Sequence, residues 1–149
     1  MPDLEFAFIT HVDVAEVMDI GPTVRGHRRI VPILGGTFEG PRVKGTVLPG
    51  ADWQLVRPDG VLELEAKYAL RTDDGVLISI VNRCIRRASP EVMAKLNAGR
   101  PVDPGEVYFR TTPTFETADA KYAWMMNSIF LGTGERKANQ VIINFFEVL

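Results

Sequence analysis

The stretch Arg57-Pro58-Asp59-Gly60-Val61-Leu62-Glu63-Leu64-Glu65-Ala66-Lys67-Tyr68-Ala69-Leu70-Arg71-Thr72-Asp73-Asp74-Gly75 decides the fold. Between its two turn sequences, Leu62, Leu64, Ala66, Tyr68 and Leu70 alternate with Glu63, Glu65, Lys67 and Arg71. A period of two marks a β-strand with one apolar face. Proline presets φ for the first turn and glycine accepts the positive φ that closes each hairpin. Trp53–Val56 precedes the run and Val76–Cys84 follows it, so two successive hairpins form an antiparallel meander.

Working outward, Leu4–Val14 alternates in the same way, with Leu4, Phe6, Phe8, Thr10 and Val12 on one face. Gln140–Leu149 is a last apolar strand. Gly35-Gly36, Gly40-Pro41, Gly45 and Pro49-Gly50 break the region between Val14 and Trp53 into short pieces, as at bulges and bends where a sheet curls. About nine strands emerge, more than an open twisted sheet of this length holds comfortably. The expected fold is therefore all-β and mainly antiparallel: a single closed or nearly closed up-and-down barrel over residues 1–149. One short helix is expected near Ser89–Ala98, with Ser89 as cap, Pro90 in the first turn and Gly99 as terminator. A second helical turn is expected over Ala118–Met126.

The 149 residues suffice for one core without disulfides or metals. A net charge of −2 from 17 basic and 19 acidic residues gives no basic stripe for nucleic acid. No apolar run approaches a bilayer span, and acids stand near the amino terminus where a secretory signal carries bases, so no membrane partner and a cytoplasmic location are expected. The single cysteine, Cys84, ends an apolar strand and reads as inert packing. His11 and His27 belong to no ligand pair, so no metal is expected. Gly35-Gly36-Thr37-Phe38-Glu39-Gly40 lacks the Lys-Ser/Thr of a phosphate loop, and no cofactor is expected.

Three polar groups stand in unusual places. Asp52 lies beside Trp53 after a Pro-Gly bend, where an apolar neighbour at a barrel mouth would raise its pKa for general acid–base work. The alternative is that Asp52 caps a turn while Trp53 fills the core. Arg110 shares a strand face with Tyr108 and Thr112 and suits an oxyanion, the alternative being an ion pair with Glu116. Asn82 lies on the Val76, Ile78, Ile80 face, where an amide inside a barrel requires a partner, water or ligand. Trp124 and Asn127, three apart, fall on one side of a helical turn.

Gly36-Thr37-Phe38-Glu39-Gly40-Pro41-Arg42-Val43-Lys44-Gly45, Pro49-Gly50-Ala51-Asp52-Trp53-Gln54, Thr72-Asp73-Asp74-Gly75, Tyr108-Phe109-Arg110-Thr111, Phe115-Glu116-Thr117 and Tyr122-Ala123-Trp124 closely resemble the domain-of-unknown-function family 3237, also called uncharacterised protein family 0311. The resemblance implies an up-and-down barrel with an internal cavity. It also implies kinship with fungal enzymes that act on aromatic polyketides without a cofactor, but it transfers no catalytic residue. Cys84 and Ile85 stand where the family often has glycine.

The favoured reading is a barrel that binds a small, partly aromatic molecule and transforms it by cofactor-free acid–base chemistry. Asp52 and Glu116 would carry protons, Arg110 would hold the oxyanion, and Trp53, Tyr68, Asn82, Tyr108, Trp124 and Asn127 would line the cavity. The alternatives are a non-catalytic carrier or sensor, and a structural, homo-oligomeric protein whose barrel is filled by side chains. If Asp52, Arg110 and Glu116 form one polar cluster, catalysis gains; if they are dispersed, it loses.

Overall fold

A computed structural model describes all 149 residues. Ten strands form: β1 (Leu4–Val14), β2 (Met18–Thr23), β3 (Gly26–Glu39), β4 (Lys44–Val47), β5 (Gly50–Val56), β6 (Leu62–Thr72), β7 (Leu77–Arg87), β8 (Tyr108–Glu116), β9 (Phe130–Arg136) and β10 (Gln140–Val148). They pair antiparallel in the order β1-β10-β9-β8-β7-β6. β4 and β5 then occupy one place in the wall, each bridging β6 to β3, and β3 returns to β1. The result is a closed eight-stranded antiparallel barrel. β2 stands outside it, paired only with the first half of β3.

The two hairpins of the opening stretch form as expected. Gly60 and Gly75 both take φ of 86°, and each amide donates to the carbonyl three residues back, Arg57 and Thr72, at 2.9 Å. Alternation then assigns the faces of β6 and β7: Leu62, Leu64, Tyr68, Leu70, Ile78, Ile80, Asn82, Cys84 and Arg86 are all buried. In β1 a bulge between Phe6 and Phe8 resets the alternation, so Leu4 and Phe6 are exposed while Phe8 is fully buried. β3 bends at Gly36, whose φ is +141° and where a Cβ would lie 1.9 Å from the His11 carbonyl oxygen. Only glycine permits that approach.

The helix α1 (Pro90–Asn97) is capped by Ser89, whose Oγ accepts from the Val92 amide at 3.2 Å. The second helical segment is a 3-10 helix over Ala120–Met126. The two sit at opposite ends of the barrel. At the 3-10 end, Phe8, Phe38, Phe115, Phe130 and Phe145 join Leu70, Ile78, Ile80, Tyr122 and Met125 in one core. Their rings meet at 4.8–6.1 Å, mostly tilted or edge-on. The other end is held by the smaller cluster Leu62, Leu64, Cys84 and Phe109. On β9 there, a Cβ at Gly134 would meet the Phe109 ring at 2.5 Å, and one at Gly132 would meet Thr111 Oγ1 at 2.1 Å. The inward glycines make room for their neighbours.

Candidate functional site

Sheet register builds the site. Val31, Asp52, Ala66 and Asn82 lie side by side across β3, β5, β6 and β7. In the next inward row toward the α1 end come Arg29, Gln54, Leu64 and Cys84. Ala66 is the smallest side chain of its row, and the space it leaves between Asp52 and Asn82 belongs to a narrow chamber of about 40 Å³. Val12, Val14, Val31, Ile33, Val141 and Ile143 form its apolar wall, and Tyr68, Asn82, Asp52, Gln54, Arg86 and Arg136 its polar one. The chamber holds roughly a water or two as it stands. It adjoins an open mouth of about 350 Å³, with which it shares Val31, Gln54, Arg86 and Arg136. Arg29, Asp19 and the end of α1 (Leu96, Asn97) complete that mouth.

A hydrogen-bond chain runs inward from the mouth. Arg29 Nη2 and Nε donate to Gln54 Oε1 at 2.6 and 3.1 Å, and Gln54 Nε2 donates to Asp52 Oδ2 at 2.9 Å. Asp52 keeps some accessible surface, but its other oxygen, Oδ1, is sealed from solvent and has no partner. The Tyr68 hydroxyl, both amide atoms of Asn82 and Nε of Arg86 are likewise buried and unpartnered. Buried polar atoms ordinarily find partners. Five such atoms on one small chamber find no partner within the protein itself.

Electrostatics agree with the geometry. Burial raises the Asp52 carboxyl above its usual range, against the pull of Gln54 and of the Arg86, Arg136 and Arg29 charges. Burial also raises the Tyr68 hydroxyl, helped by Cys84 and Asp52, so it stays a donor. Desolvation and the neighbouring Arg29 and Arg136 charges bring Arg86 down to about 10, leaving it charged at neutral pH. The Cys84 thiol is pushed up by burial and by Asp52, which keeps it from the thiolate form.

The residues expected from the sequence divide into three groups. Asp52, Tyr68 and Asn82 meet in the chamber. Trp53, Tyr108 and Arg110 meet elsewhere, on the outer wall, in an open groove of about 680 Å³ with Glu63, Glu65 and Arg83. That groove is the larger concavity, but it carries mainly exposed charges and a single orphaned buried atom, Thr111 Oγ1, against five on the chamber. Trp124, Asn127 and Glu116 lie apart from both, Trp124 beneath the Arg42 guanidinium at 3.9 Å and Asn127 exposed at the end of the 3-10 helix.

Two expectations are corrected. Asp52, Arg110 and Glu116 do not form one cluster, because Arg110 and Glu116 share the outward face of β8. Arg110 donates to the Phe109 carbonyl at 3.0 Å and makes no ion pair with Glu116. The alternative for Asp52 and Trp53 is inverted: the carboxylate faces the interior and the indole is 47% exposed. Gln54, Arg29, Arg86 and Arg136 were not foreseen. Arg86 had a signal, since carrying the β7 alternation two residues past Cys84 puts it on the inward face.

The fold and site together define a closed antiparallel barrel, aromatic-packed at one end, with a polar chamber behind an arginine-lined mouth at the other. The chain belongs to the family described as "Protein of unknown function (DUF3237)", which matches residues 2–148. It is 44% identical over 151 residues to a UPF0311 protein of Rhodopseudomonas palustris strain TIE-1, covering 99% of each chain. The crystal structure of a conserved protein of unknown function from Rhodopseudomonas palustris superposes with a TM-score of 0.97 at 43% identity, over 100% of this chain and 99% of that one. A more distant relative, 25% identical over 146 residues, is the hydroalkoxylation enzyme of Penicillium herquei, with 98% of this chain and 81% of that one covered. No helix is long and apolar enough to cross a membrane.

Proposed function

We propose that the chamber and the mouth in front of it form the active site of a cofactor-independent acid–base enzyme acting on a small, partly aromatic, hydroxyl-bearing molecule. The observation that carries this reading is Asp52: one oxygen held by Gln54, the other sealed from solvent and free among orphaned donors. A carboxyl whose pKa is raised by burial is the better proton carrier. Asn82 Nδ2, the Tyr68 hydroxyl and the Arg86 guanidinium supply donors for an oxyanion at the chamber wall.

The chemistry balances without an oxidant or reductant. Asp52 Oδ1 takes the proton of a substrate hydroxyl, whose oxygen adds to the far carbon of a conjugated C=C bond. The electron pair moves to the conjugated carbonyl oxygen, where the donors hold it. Asp52 then returns the proton to the neighbouring carbon, completing addition of O–H across the double bond. The distant fungal relative, a hydroalkoxylation enzyme by name, supports this class of reaction. A pure carrier would have no use for five unpartnered polar atoms around its ligand.

The test uses hydroxyaryl enones of graded size, 2′-hydroxychalcone among them, whose cyclisation is followed by loss of enone absorbance. The native protein should accelerate cyclisation of at least one, and Asp52→Asn should reduce that rate about 100-fold or more. Equal rates for the two proteins, or no acceleration of any probe, would overturn the reading.

A further inference from the structure

Arg29, Arg86 and Arg136 converge on the mouth from the start of β3 and the ends of β7 and β9, and none takes part in an ion pair. Arg86 is only 4% exposed, and its buried Nε has no partner. The carboxylates in reach are Asp52, which is bonded to Gln54, and Asp19, whose Oδ1 is 2.5 Å from His27 Nε2. Three guanidiniums therefore face two carboxylates that are bonded to other side chains. Burying a guanidinium without its hydrogen bonds is costly, and a second and third like charge beside it adds to that cost.

We infer that the molecule bound here carries a carboxylate, which sits among Arg29, Arg86 and Arg136 at the mouth while its uncharged body fills the rest of the mouth in front of Asp52. The inference rests on the chamber and its mouth being the site of binding and names the substrate class. A planar carboxylate matches the guanidinium fork and accepts two parallel N–H bonds from one arginine with lone pairs left for the others. The apolar side chains Val17, Val31, Leu96 and Ala138 beside the arginines at the mouth select an organic acid over an inorganic anion, which would leave them uncovered. The mouth, at about 350 Å³, is within the size range of small-molecule sites. An anion there is also drawn in before contact, because the arginine charges focus at a concave opening.

The experiment is a titration of the intact protein, by calorimetry and by thermal shift, with benzoate, phenylacetate, salicylate and 4-hydroxycinnamate. Benzamide, benzyl alcohol and inorganic phosphate serve as controls. At least one aryl carboxylate should bind saturably and raise the melting temperature, while its neutral counterparts should bind at least about tenfold more weakly. Arg86→Gln and, separately, Arg136→Gln should weaken carboxylate binding about tenfold or more. The second variant keeps the test intact if the first folds poorly. Three results would overturn the inference: no saturable binding of any carboxylate at millimolar concentration, equal binding of benzamide and benzoate, or phosphate binding as tightly as the carboxylates. Its failure is distinguishable from failure of the acid–base reading. Binding and turnover are read separately on the native protein, so saturable carboxylate binding with no turnover of any enone would sink the reaction and leave the ligand class standing.

Discussion

The two ends of the barrel are built from the same alternation and reach opposite results. At the 3-10 end, inward positions are phenylalanine, leucine and isoleucine, and the interior is filled by rings in contact. At the α1 end, the same strands present Asp52, Gln54, Asn82, Arg86 and Arg136 inward, and orphaned atoms surround a small void. Each strand thus runs from a region optimised for packing to one that sacrifices it. Close packing and unpartnered polar groups are segregated along the barrel axis.

The sharpest way to break this contrast is Phe8→Ala or Phe145→Ala. Each removes a fully buried ring and should cost about 3–5 kcal/mol of stability, read as a fall in denaturant midpoint. Carboxylate affinity of the folded fraction should not change. A matching loss of affinity would show that the ends are not separable. Next in size is Asp52→Asn, which should lose about 100-fold or more in enone cyclisation while its melting temperature stays close to that of the native protein.

Arg136→Met probes the same end from the other side. Removing one of three like charges should raise the stability of the unliganded protein by about 1 kcal/mol, and the gain should shrink as salt screens the native cluster. A destabilised Arg136→Met protein would mean that Arg136 is already satisfied. The pH dependence of Asp52 gives a smaller effect of defined sign. Its folded pKa is raised, so its ionisation costs stability, with no cost below the unfolded carboxyl pKa and full cost above the folded one. The stability of Asp52→Asn relative to the native protein should therefore rise with pH across that interval and then level off. A flat difference would contradict the burial argument.

Smallest of all is a contact at the packed end. Asp74 accepts from Thr72, from the Tyr122 hydroxyl at 2.8 Å and from Lys121 Nζ at 2.9 Å, tying the β6–β7 turn to the 3-10 helix. Those bonds hold its carboxyl well below the usual range. Their contribution is present above the unfolded carboxyl pKa and fades as pH falls through the folded one. Asp74→Asn should lower the melting temperature slightly at neutral pH and less in acid, with binding untouched.

Much of this was legible in the residues and some was not, for identifiable reasons. Asp-Gly turns and strict alternation announce β6 and β7 because each signal has a local cause. Alternation also places Tyr108, Arg110 and Thr112 together on β8, but it does not say which face is inside. Closure of the wall turned that face outward. Asp52 was found because its position after a bend is unusual, whereas its partners came from β3, β7 and β9, distant in sequence and joined only by register. Arg29, Arg86 and Arg136 each adjoin another basic residue, Arg28, Arg87 and Lys137, and such pairs read as solvated strand ends. The bulge in β1 has no marker in the chain at all.

Gly134 has a consequence for how members of such a family can diverge. The Phe109 ring occupies the space that a methyl group there would claim, and the Arg86 guanidinium lies 5.7 Å above that ring. A single added carbon at position 134 would overlap the ring and force it to shift, disturbing the packing beside the guanidinium. The lining of the chamber, of which Phe109 is a part, can thus be reshaped from the back of the wall by one small substitution, with no charged residue replaced.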